Sequence, residues 1–164
     1  MPVRRIFGFA DAALRRKARP VGRIDKATQR LIDDMIETMR AAEGIGLAAP
    51  QIGVSERLFV AELDDKVYVF INPQIVSLSQ ETEIAEEGCL SLPGYQGAVE
   101  RPVRASVRGK NRRGRGQTIE AEGLLARCFQ HEIDHLDGVL FTDRMSPDAL
   151  LRPVEQEESV ASSQ

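Results

Sequence analysis

The stretch at residues 123–136, GLLARCFQHEIDHL, decides the fold prediction for this chain. Its apolar residues recur at helical spacing, which predicts an amphipathic helix. These apolar positions are Leu124, Leu125, Cys128, Phe129 and Ile133. The second half reads His131-Glu132-Ile133-Asp134-His135 and contains both histidines of the chain. Histidines at i and i+4 lie on one helix face, a turn apart, so both can reach one ion.

The same run has the H-E-x-x-H pattern of a site at which a metal activates water. Glu132 projects beside the histidine face, where a base for that water would be useful. The alternative is a helix whose histidines pack in the core or face solvent. Because the chain has only 2 histidines, their placement at this spacing favours a metal site.

Length and composition indicate one globular domain. A chain of 164 residues can bury a real core but is too short for two comfortable domains. Its hydrophobic share of 42% and charged share of 29% are ordinary for such a protein. We expect residues 1–150 to form a single catalytic domain and residues 151–164 to form a mobile, acidic, polar tail.

Charge and hydropathy argue against two classes of partner. The net charge of −3 gives no electrostatic case for DNA or RNA as the main ligand. No apolar run approaches the length of a membrane span. Residues 1–20 are rich in arginine but lack the serine bias of a transit peptide, so we interpret them as part of the mature domain. Two cysteines do not make a disulfide framework, which favours a reducing compartment. We therefore expect a cytoplasmic protein, and a monomer.

The first half of the chain predicts a helix followed by strands. Residues 25–42 carry apolar residues at helical spacing, with Asp25 as the N-cap. Residues 57–78 are rich in β-branched and aromatic residues, and Asp64-Asp65 is predicted to form the turn between two strands. Asn72-Pro73 is expected to interrupt the second strand.

The region before the motif helix also predicts β-structure. Residues 98–107 alternate as one strand, in which Pro102 favours an edge or a bulge. Residues 108–117 are interpreted as a basic hairpin loop. The predicted fold class is therefore α+β, with short, mostly antiparallel strands packed around a central helix that carries the H-E-x-x-H motif.

Two histidines do not complete a catalytic metal site, which usually has three protein ligands and a water. Cys89 follows a predicted strand, and Gly88 lets the backbone come close to an ion. A small buried hydrophobic residue is an equally good interpretation of Cys89 alone. Cys128 lies near His131 on the helix and is expected to pack beside the site, since a second thiolate would close the open position.

The segment Gly44-Ile45-Gly46-Leu47-Ala48-Ala49-Pro50-Gln51 is the third candidate element. Glycines and small residues let a backbone run close to a substrate. Gln51 offers an amide N–H to a developing oxyanion. Taken alone, the segment could equally be a tight connection from helix to strand.

Together, three segments resemble the three signature motifs of the peptide deformylases, in the same order. They are Gly44-Ile45-Gly46-Leu47-Ala48-Ala49-Pro50-Gln51, Glu87-Gly88-Cys89-Leu90-Ser91 and Gln130-His131-Glu132-Ile133-Asp134-His135. The resemblance extends to Leu14-Arg15, Pro20-Val21, Asn72-Pro73 and Asp137-Gly138-Val139-Leu140-Phe141, and it reaches about Pro147. It implies a metal-dependent hydrolase that removes the formyl group from the N-terminal formylmethionine of newly made polypeptides and releases formate.

The resemblance also implies the metal site. Cys89, His131 and His135 would bind one divalent ion, with water or hydroxide at the fourth position. The family prefers Fe(II), and Zn(II) or Ni(II) can occupy the site. A thiolate with two imidazoles suits several first-row metals, so the ligand types do not choose among them.

The remaining implied residues act on the substrate. Glu132 would move the proton, while the Gln51 side chain and the Leu90 N–H would stabilise the oxyanion. Substrate contacts are expected from Ile45, Gly46, Glu87, Leu124 and Cys128, with Ile45, Leu124 and Cys128 forming an apolar pocket for the methionine side chain. The partners would be nascent formylated polypeptides, with transient association with the ribosome.

Two other functions remain open from the residues alone. An H-E-x-x-H protease would need an acid as third ligand, for which Glu155 is the candidate. A structural metal site would need four protein ligands, with Cys128 as the fourth. One departure from some relatives is Arg127, which stands where they carry an apolar residue and is expected to extend to the rim of the pocket.

Overall fold

The computed structural model describes residues 2–154, in which two α-helices and eight strands form. The helices are α1 (Lys26–Ala41) and α2 (Leu124–Leu136). The strands are β1 (Gly46–Ala48), β2 (Leu58–Leu63), β3 (Lys66–Leu78), β4 (Thr82–Cys89), β5 (Leu92–Pro102), β6 (Arg104–Lys110), β7 (Gly116–Glu122) and β8 (Arg152–Pro153). All pairs between these strands are antiparallel, which confirms the predicted α+β class.

The strands form two sheets. Five strands lie in the order β1-β2-β3-β6-β7, and three lie in the order β4-β5-β8. The chain passes from the second sheet to the first at Val103, between β5 and β6. The prediction of one strand over residues 98–107 is therefore wrong. The alternation continues through the crossing, so the sequence pattern hides the break beside Pro102.

Helix α1 begins where the sequence predicts. The Asp25 carboxylate accepts from the Thr28 N–H at 3.1 Å, and the Thr28 hydroxyl accepts from the Asp25 N–H at 3.3 Å. This reciprocal pair is a capping box, which satisfies two N–H groups at the helix start. With Ala42 as the C-cap, the predicted limits of 25–42 are confirmed.

The turn at Asp64-Asp65 joins β2 to β3 as predicted. Both aspartates have positive φ, 53° and 63°, as a two-residue hairpin turn of type I′ requires. Asn72-Pro73 does not end the following strand, which continues to Leu78 with a shift in register. Asn72 has a φ of 54°, and its side-chain amide bonds both main-chain polar groups of Val21. The predicted interruption is therefore a bulge.

Half of the basic segment at residues 108–117 belongs to strands. Strand β6 continues to Lys110 and β7 begins at Gly116, so the loop is shorter than predicted. At its tip Arg112 forms an ion pair with Asp33 of α1 at 2.8 Å.

Helix α2 lies against the five-stranded sheet and also contacts β5. All of its residues from 128 to 136 are buried. Phe129 packs its ring against Phe59 and Phe70 of the sheet, with centroids 5.6 and 5.3 Å apart. The position of α2 is therefore fixed by the largest side chains of the core.

Gly138 ends α2 three residues after His135. The Val139 N–H donates to the Asp134 carbonyl at 2.9 Å, and the Gly138 N–H donates to the His135 carbonyl at 3.2 Å. This pattern is a Schellman motif, in which the residue after the C-cap takes a left-handed conformation. Gly138 has a φ of 75°, and an added Cβ would lie 2.6 Å from the Arg15 carbonyl oxygen.

The end of the described chain adds a short strand to the second sheet. Strand β8 pairs with Tyr95 and Gln96 of β5, and Arg152 forms an ion pair with Glu86 at 2.5 Å. Residues 155–164, which include most of the expected tail, lie outside the described residues. The division into a domain at 1–150 and a tail at 151–164 stays a prediction. Among residues 2–154, neither helix has the length and apolar character needed to cross a membrane.

The Schellman glycine yields a stability prediction. Gly138→Ala should lower the free energy of unfolding by about 2–5 kcal/mol, because left-handed strain adds to a backbone clash. Gly94→Ala is the matched control, since Gly94 also has a positive φ of 86° but no atom within 4 Å of an added Cβ. The control should cost about 1–2 kcal/mol in urea unfolding. Equal costs would show that the contact with Arg15 contributes nothing.

Candidate active site

A cavity of 310 Å³ opens beside α2, at the ends of β1 and β4. Ten of the eleven predicted site residues line it: Ile45, Gly46, Gln51, Glu87, Cys89, Leu90, Leu124, Cys128, His131 and Glu132. The remaining one, His135, is buried with its Nε2 3.2 Å from Cys89 Sγ. A larger cleft of 740 Å³ between α1 and β7 contains none of these residues. The structure therefore brings the three sequence segments together at one place.

Cys89, His131 and His135 form the only group of three or more potential metal ligands in residues 2–154. One ligand atom from each lies within 4.8 Å of the others. Cys89 ends β4, whereas both histidines project from one face of α2. Nδ1 of His131 bonds Glu87 at 3.0 Å, which leaves its Nε2 for other contacts. A soft sulfur and two imidazole nitrogens converging in this way fit a first-row transition metal.

The Glu87 carboxylate is held between two arginines and His131. Arg101 donates to both of its oxygens, at 2.5 and 2.9 Å, and Arg127 donates to Oε2 at 2.6 Å. Burial alone would raise the pKa of Glu87, but the hydrogen bonds from Arg101 and His131 outweigh burial and hold the pKa at about 2. Glu87 is therefore charged at neutral pH and fixes the orientation of the His131 ring.

Glu132 is buried beside Gly46. Its Oε1 has no hydrogen-bond partner among the described residues. Burial raises the pKa of Glu132 to about 7. A carboxyl group with such a pKa can both accept and release a proton near neutral pH. An unpaired buried carboxylate facing a cavity is unusual in a protein core and points to a functional group.

Gln51 lies in a short 3₁₀ helix, Ala49–Ile52, that directly follows β1. Its Oε1 accepts from the Ala48 N–H at 2.9 Å. Its Nε2 donates to Ser91 Oγ at 3.1 Å and to Cys89 Sγ at 3.4 Å. The Ala48 contact assigns the orientation of the amide, so that the N–H₂ end faces Cys89.

The expected substrate-binding residues differ in what they offer to the cavity. Ile45 and Leu124 are exposed apolar side chains, 40% and 54% accessible. The buried Cys128 thiol donates to the Ile45 carbonyl at 3.6 Å, and burial raises its pKa so that it stays protonated. The Glu87 side chain is occupied by its ion pairs, so only its main chain is available to a ligand.

Arg127 is among the residues that line the cavity, but its guanidinium is held by protein acceptors and is not free in solvent at the rim. Its side chain is 12% exposed, and it binds Glu87 together with two main-chain carbonyls, of Val99 at 3.0 Å and of Glu83 at 2.8 Å. The reason is physical: a buried carboxylate and two carbonyls in reach of one planar guanidinium are better acceptors than water at the rim.

Sequence reasoning missed three polar residues of this region, Ser91, Arg101 and Asp134. Asp134 accepts from Arg101 at 2.9 Å and from Arg144 at 2.6 Å. One sequence feature could have identified Arg101. It lies in the same alternating phase as the buried Val99, so a charge falls on the apolar side of a strand.

Comparison with known proteins agrees with the motifs. The family model described as Polypeptide deformylase matches residues 3–150. A peptide deformylase of Natranaerobius thermophilus is 53% identical over 145 residues, which covers 88% of this chain and 93% of the relative. The crystal structure of peptide deformylase from Thermotoga maritima is similar with a TM-score of 0.88 and 47% identity, over 90% of this chain and 100% of that one.

A second solved structure is a peptide deformylase from Synechococcus elongatus in complex with actinonin. It has a TM-score of 0.87 and 45% identity, over 90% of this chain and 81% of that one. Relatives at this identity and coverage share both fold and activity with the chain. The chain belongs to the polypeptide deformylase family and is a metal-dependent hydrolase that removes the N-formyl group from nascent polypeptides.

Proposed function

We propose that Cys89, His131 and His135 bind one divalent metal ion and that Glu132 moves the proton during hydrolysis of the formyl group. The observation that carries this proposal is the convergence of the three ligand atoms beside a buried, unpaired carboxylate in one cavity. When bound, the metal supplies a Lewis acid that polarises the formyl group and lowers the pKa of the attacking water.

The chain's own residues perform the remaining steps. Glu132 accepts the proton of the attacking water and later donates it to the leaving amine. The formyl oxygen becomes negative during the attack. It is stabilised by the Leu90 main-chain N–H and by the Gln51 Nε2–H that faces Cys89, since Ser91 holds the other Nε2–H. Because Gln51 is held by Ala48 and Ser91, its N–H is already oriented before the substrate arrives.

The same cavity offers a place for the methionine side chain of the substrate. Ile45, Leu124 and Cys128 present apolar surface suited to an unbranched thioether. The peptide backbone would extend along Gly46 and the main chain at Glu87, in the manner of an added strand. Gly46 has no side chain to block this path, and an added Cβ would lie 2.5 Å from Glu132 Oε2.

Fe(II) is the proposed native ion, with Zn(II) and Ni(II) as alternatives, because the family resemblance favours iron while the ligand set suits all three. Metal analysis of protein purified without oxygen, followed by formate release with each reconstituted ion, tests this choice. Iron at one equivalent and the highest turnover with iron are expected. A protein that holds zinc and works best with zinc would contradict it.

The cellular setting follows from the substrate. Nascent formylated polypeptides emerge at ribosomes, so we propose that the enzyme acts in the cytoplasm and contacts ribosomes transiently. A monomeric state stays a prediction. Two other functions are less well supported. Cys128 is absent from the group of converging ligands among residues 2–154, which disfavours a structural site with four protein ligands. Glu155, the third ligand that a protease would need, lies outside the described residues.

The ligand assignment predicts different effects of the same substitution at the two cysteines. Cys89→Ser should lose stoichiometric metal after dialysis, because a hydroxyl is a far weaker ligand than a thiolate. Cys128→Ser should keep it. Metal content by elemental analysis measures both. Retained metal in the first variant would overturn the assignment, and loss in the second would favour the four-ligand structural site.

The proton-transfer role predicts that Glu132→Gln keeps the metal but lowers kcat by about 10²–10⁴-fold, since the amide cannot accept or donate the proton. Formate release from a formyl-Met peptide measures the rate. Glu122→Gln, on the exposed surface of β7, is the matched control and should match the unaltered enzyme. Near-normal turnover by Glu132→Gln would contradict the role.

The close approach at Gly46 predicts that Gly46→Ala lowers kcat/KM by about a hundredfold, since displacement of a reacting group by about 1 Å costs that much. The added methyl group would press on Glu132 Oε2 and on Cys128 Sγ, 2.9 Å away. Gly116→Ala is the control, because no atom lies within 4 Å of its added Cβ. Equal activities of the two variants would show that Gly46 tolerates a side chain.

A further inference from the structure

We propose that Arg127 is a positioning residue that holds the strand bearing Cys89 and the helix bearing the histidines at the separation that metal binding needs. This inference rests on the proposed metal site. It concerns a residue that lies outside the candidate ligands and outside the proton-transfer step.

The first argument is where the Arg127 guanidinium ends. It donates to the Glu87 carboxylate and the Glu83 carbonyl on β4, and to the Val99 carbonyl on β5. All three acceptors belong to the β4–β5 hairpin, whereas Arg127 itself belongs to the first half of α2. Its side chain therefore bridges the two elements that supply the candidate ligands.

The second argument concerns the Glu87 carboxylate, which has four polar contacts. Oε1 bonds Arg101 and His131, and Oε2 bonds Arg101 and Arg127. A carboxylate has about four lone-pair positions, so all of its capacity is used. Arg101 lies on the same hairpin as Glu87 and moves with it. Among the partners of Glu87, only Arg127 and His131 reach it from α2.

The third argument is the spacing along α2. Arg127, His131 and Asp134 occupy positions i, i+4 and i+7, which lie on one helix face. His131 contacts Glu87, and Asp134 contacts Arg101 at 2.9 Å. Arg127 is the member of this row nearest the helix start. Among the described residues, Arg127 is the only member of this row that hydrogen-bonds the main chain of the hairpin. Without these bonds the hairpin is held less firmly to the helix, so the Cys89 end can shift relative to the histidines.

If Arg127 had a merely structural role, its loss would lower stability without weakening metal binding. Arg57 is the matched control for such a role. Arg57 also donates to a carbonyl and a carboxylate, those of Leu136 and Asp137, both at 2.9 Å. Its side chain is 16% exposed, against 12% for Arg127. It binds the other end of α2 and does not touch Glu87, so its loss should affect stability alone.

The experiment compares Arg127→Leu, Arg127→Lys and Arg57→Leu with the unaltered full chain. Each protein is stripped of metal, and its affinity for Zn(II) is measured by competition with a chelating dye. Thermal unfolding of the metal-free proteins and the absorption spectrum of the Co(II) forms are recorded in parallel. These readouts do not depend on catalytic activity.

Arg127→Leu should weaken Zn(II) binding by about 10–100-fold, the usual effect of losing a residue that orients a metal ligand. Its Co(II)–thiolate absorption band should shift, and its metal-free unfolding temperature should fall no further than that of Arg57→Leu. Arg127→Lys should lie in between, because an ammonium keeps the charge but not the planar fork. Arg57→Leu should bind Zn(II) as the unaltered chain does.

Equal Zn(II) affinities of Arg127→Leu and Arg57→Leu would overturn the inference and leave Arg127 a structural residue. If Arg127→Leu does not fold, Arg127→Lys decides by the same comparison. Failure of the unaltered chain to bind Zn(II), or retention of metal by Cys89→Ser, would instead overturn the proposed metal site. The two failures are therefore distinguishable.

Discussion

Burial of a polar helix face is the constraint on which this structure depends. The second half of α2 carries two imidazoles and two carboxylates, and all of them are shielded from solvent. Desolvation of such groups is costly unless each has a partner of complementary charge or geometry. Arg101, buried on a neighbouring strand, supplies much of that compensation through Glu87 and Asp134. Two buried polar atoms of this face have no hydrogen-bond partner among the described residues, Glu132 Oε1 and His135 Nδ1, and both residues belong to the candidate active site.

Much of the fold could be predicted from local sequence patterns. Helix α1 could be predicted from its N-cap Asp25 and from the spacing of its apolar residues. The turn at Asp64-Asp65 could be predicted because aspartate tolerates positive φ. The crossing at Val103 could not be predicted, because strands of two sheets follow each other without a loop and keep the same alternation. The bulge at Asn72 was also hidden, since its partner Val21 is distant in the sequence.

The candidate site likewise has features that the sequence predicts and features that it does not. Residues within one motif were predictable, because H-E-x-x-H spacing on a helix fixes where its side chains point. The contacts that join different motifs were not. Arg127 illustrates the difference: the sequence places it one turn before His131, but its three acceptors lie on β4 and β5. Which carbonyls meet a guanidinium depends on tertiary packing, and no local pattern encodes that.

The distribution of the candidate ligands over two elements has a consequence for how the protein would lose its metal. Cys89 and His135 are 46 residues apart in sequence. The Cys89 sulfur lies at the tip of a hairpin, while the two imidazoles lie on a buried helix. Proteins open in cooperative local units whose free energies range from near zero up to that of global unfolding. With these ligands, a brief local opening of the β4–β5 hairpin would move the Cys89 sulfur away from the ion while the helix stays folded. The lifetime of the bound ion would then follow the opening rate of one hairpin and not the stability of the whole molecule.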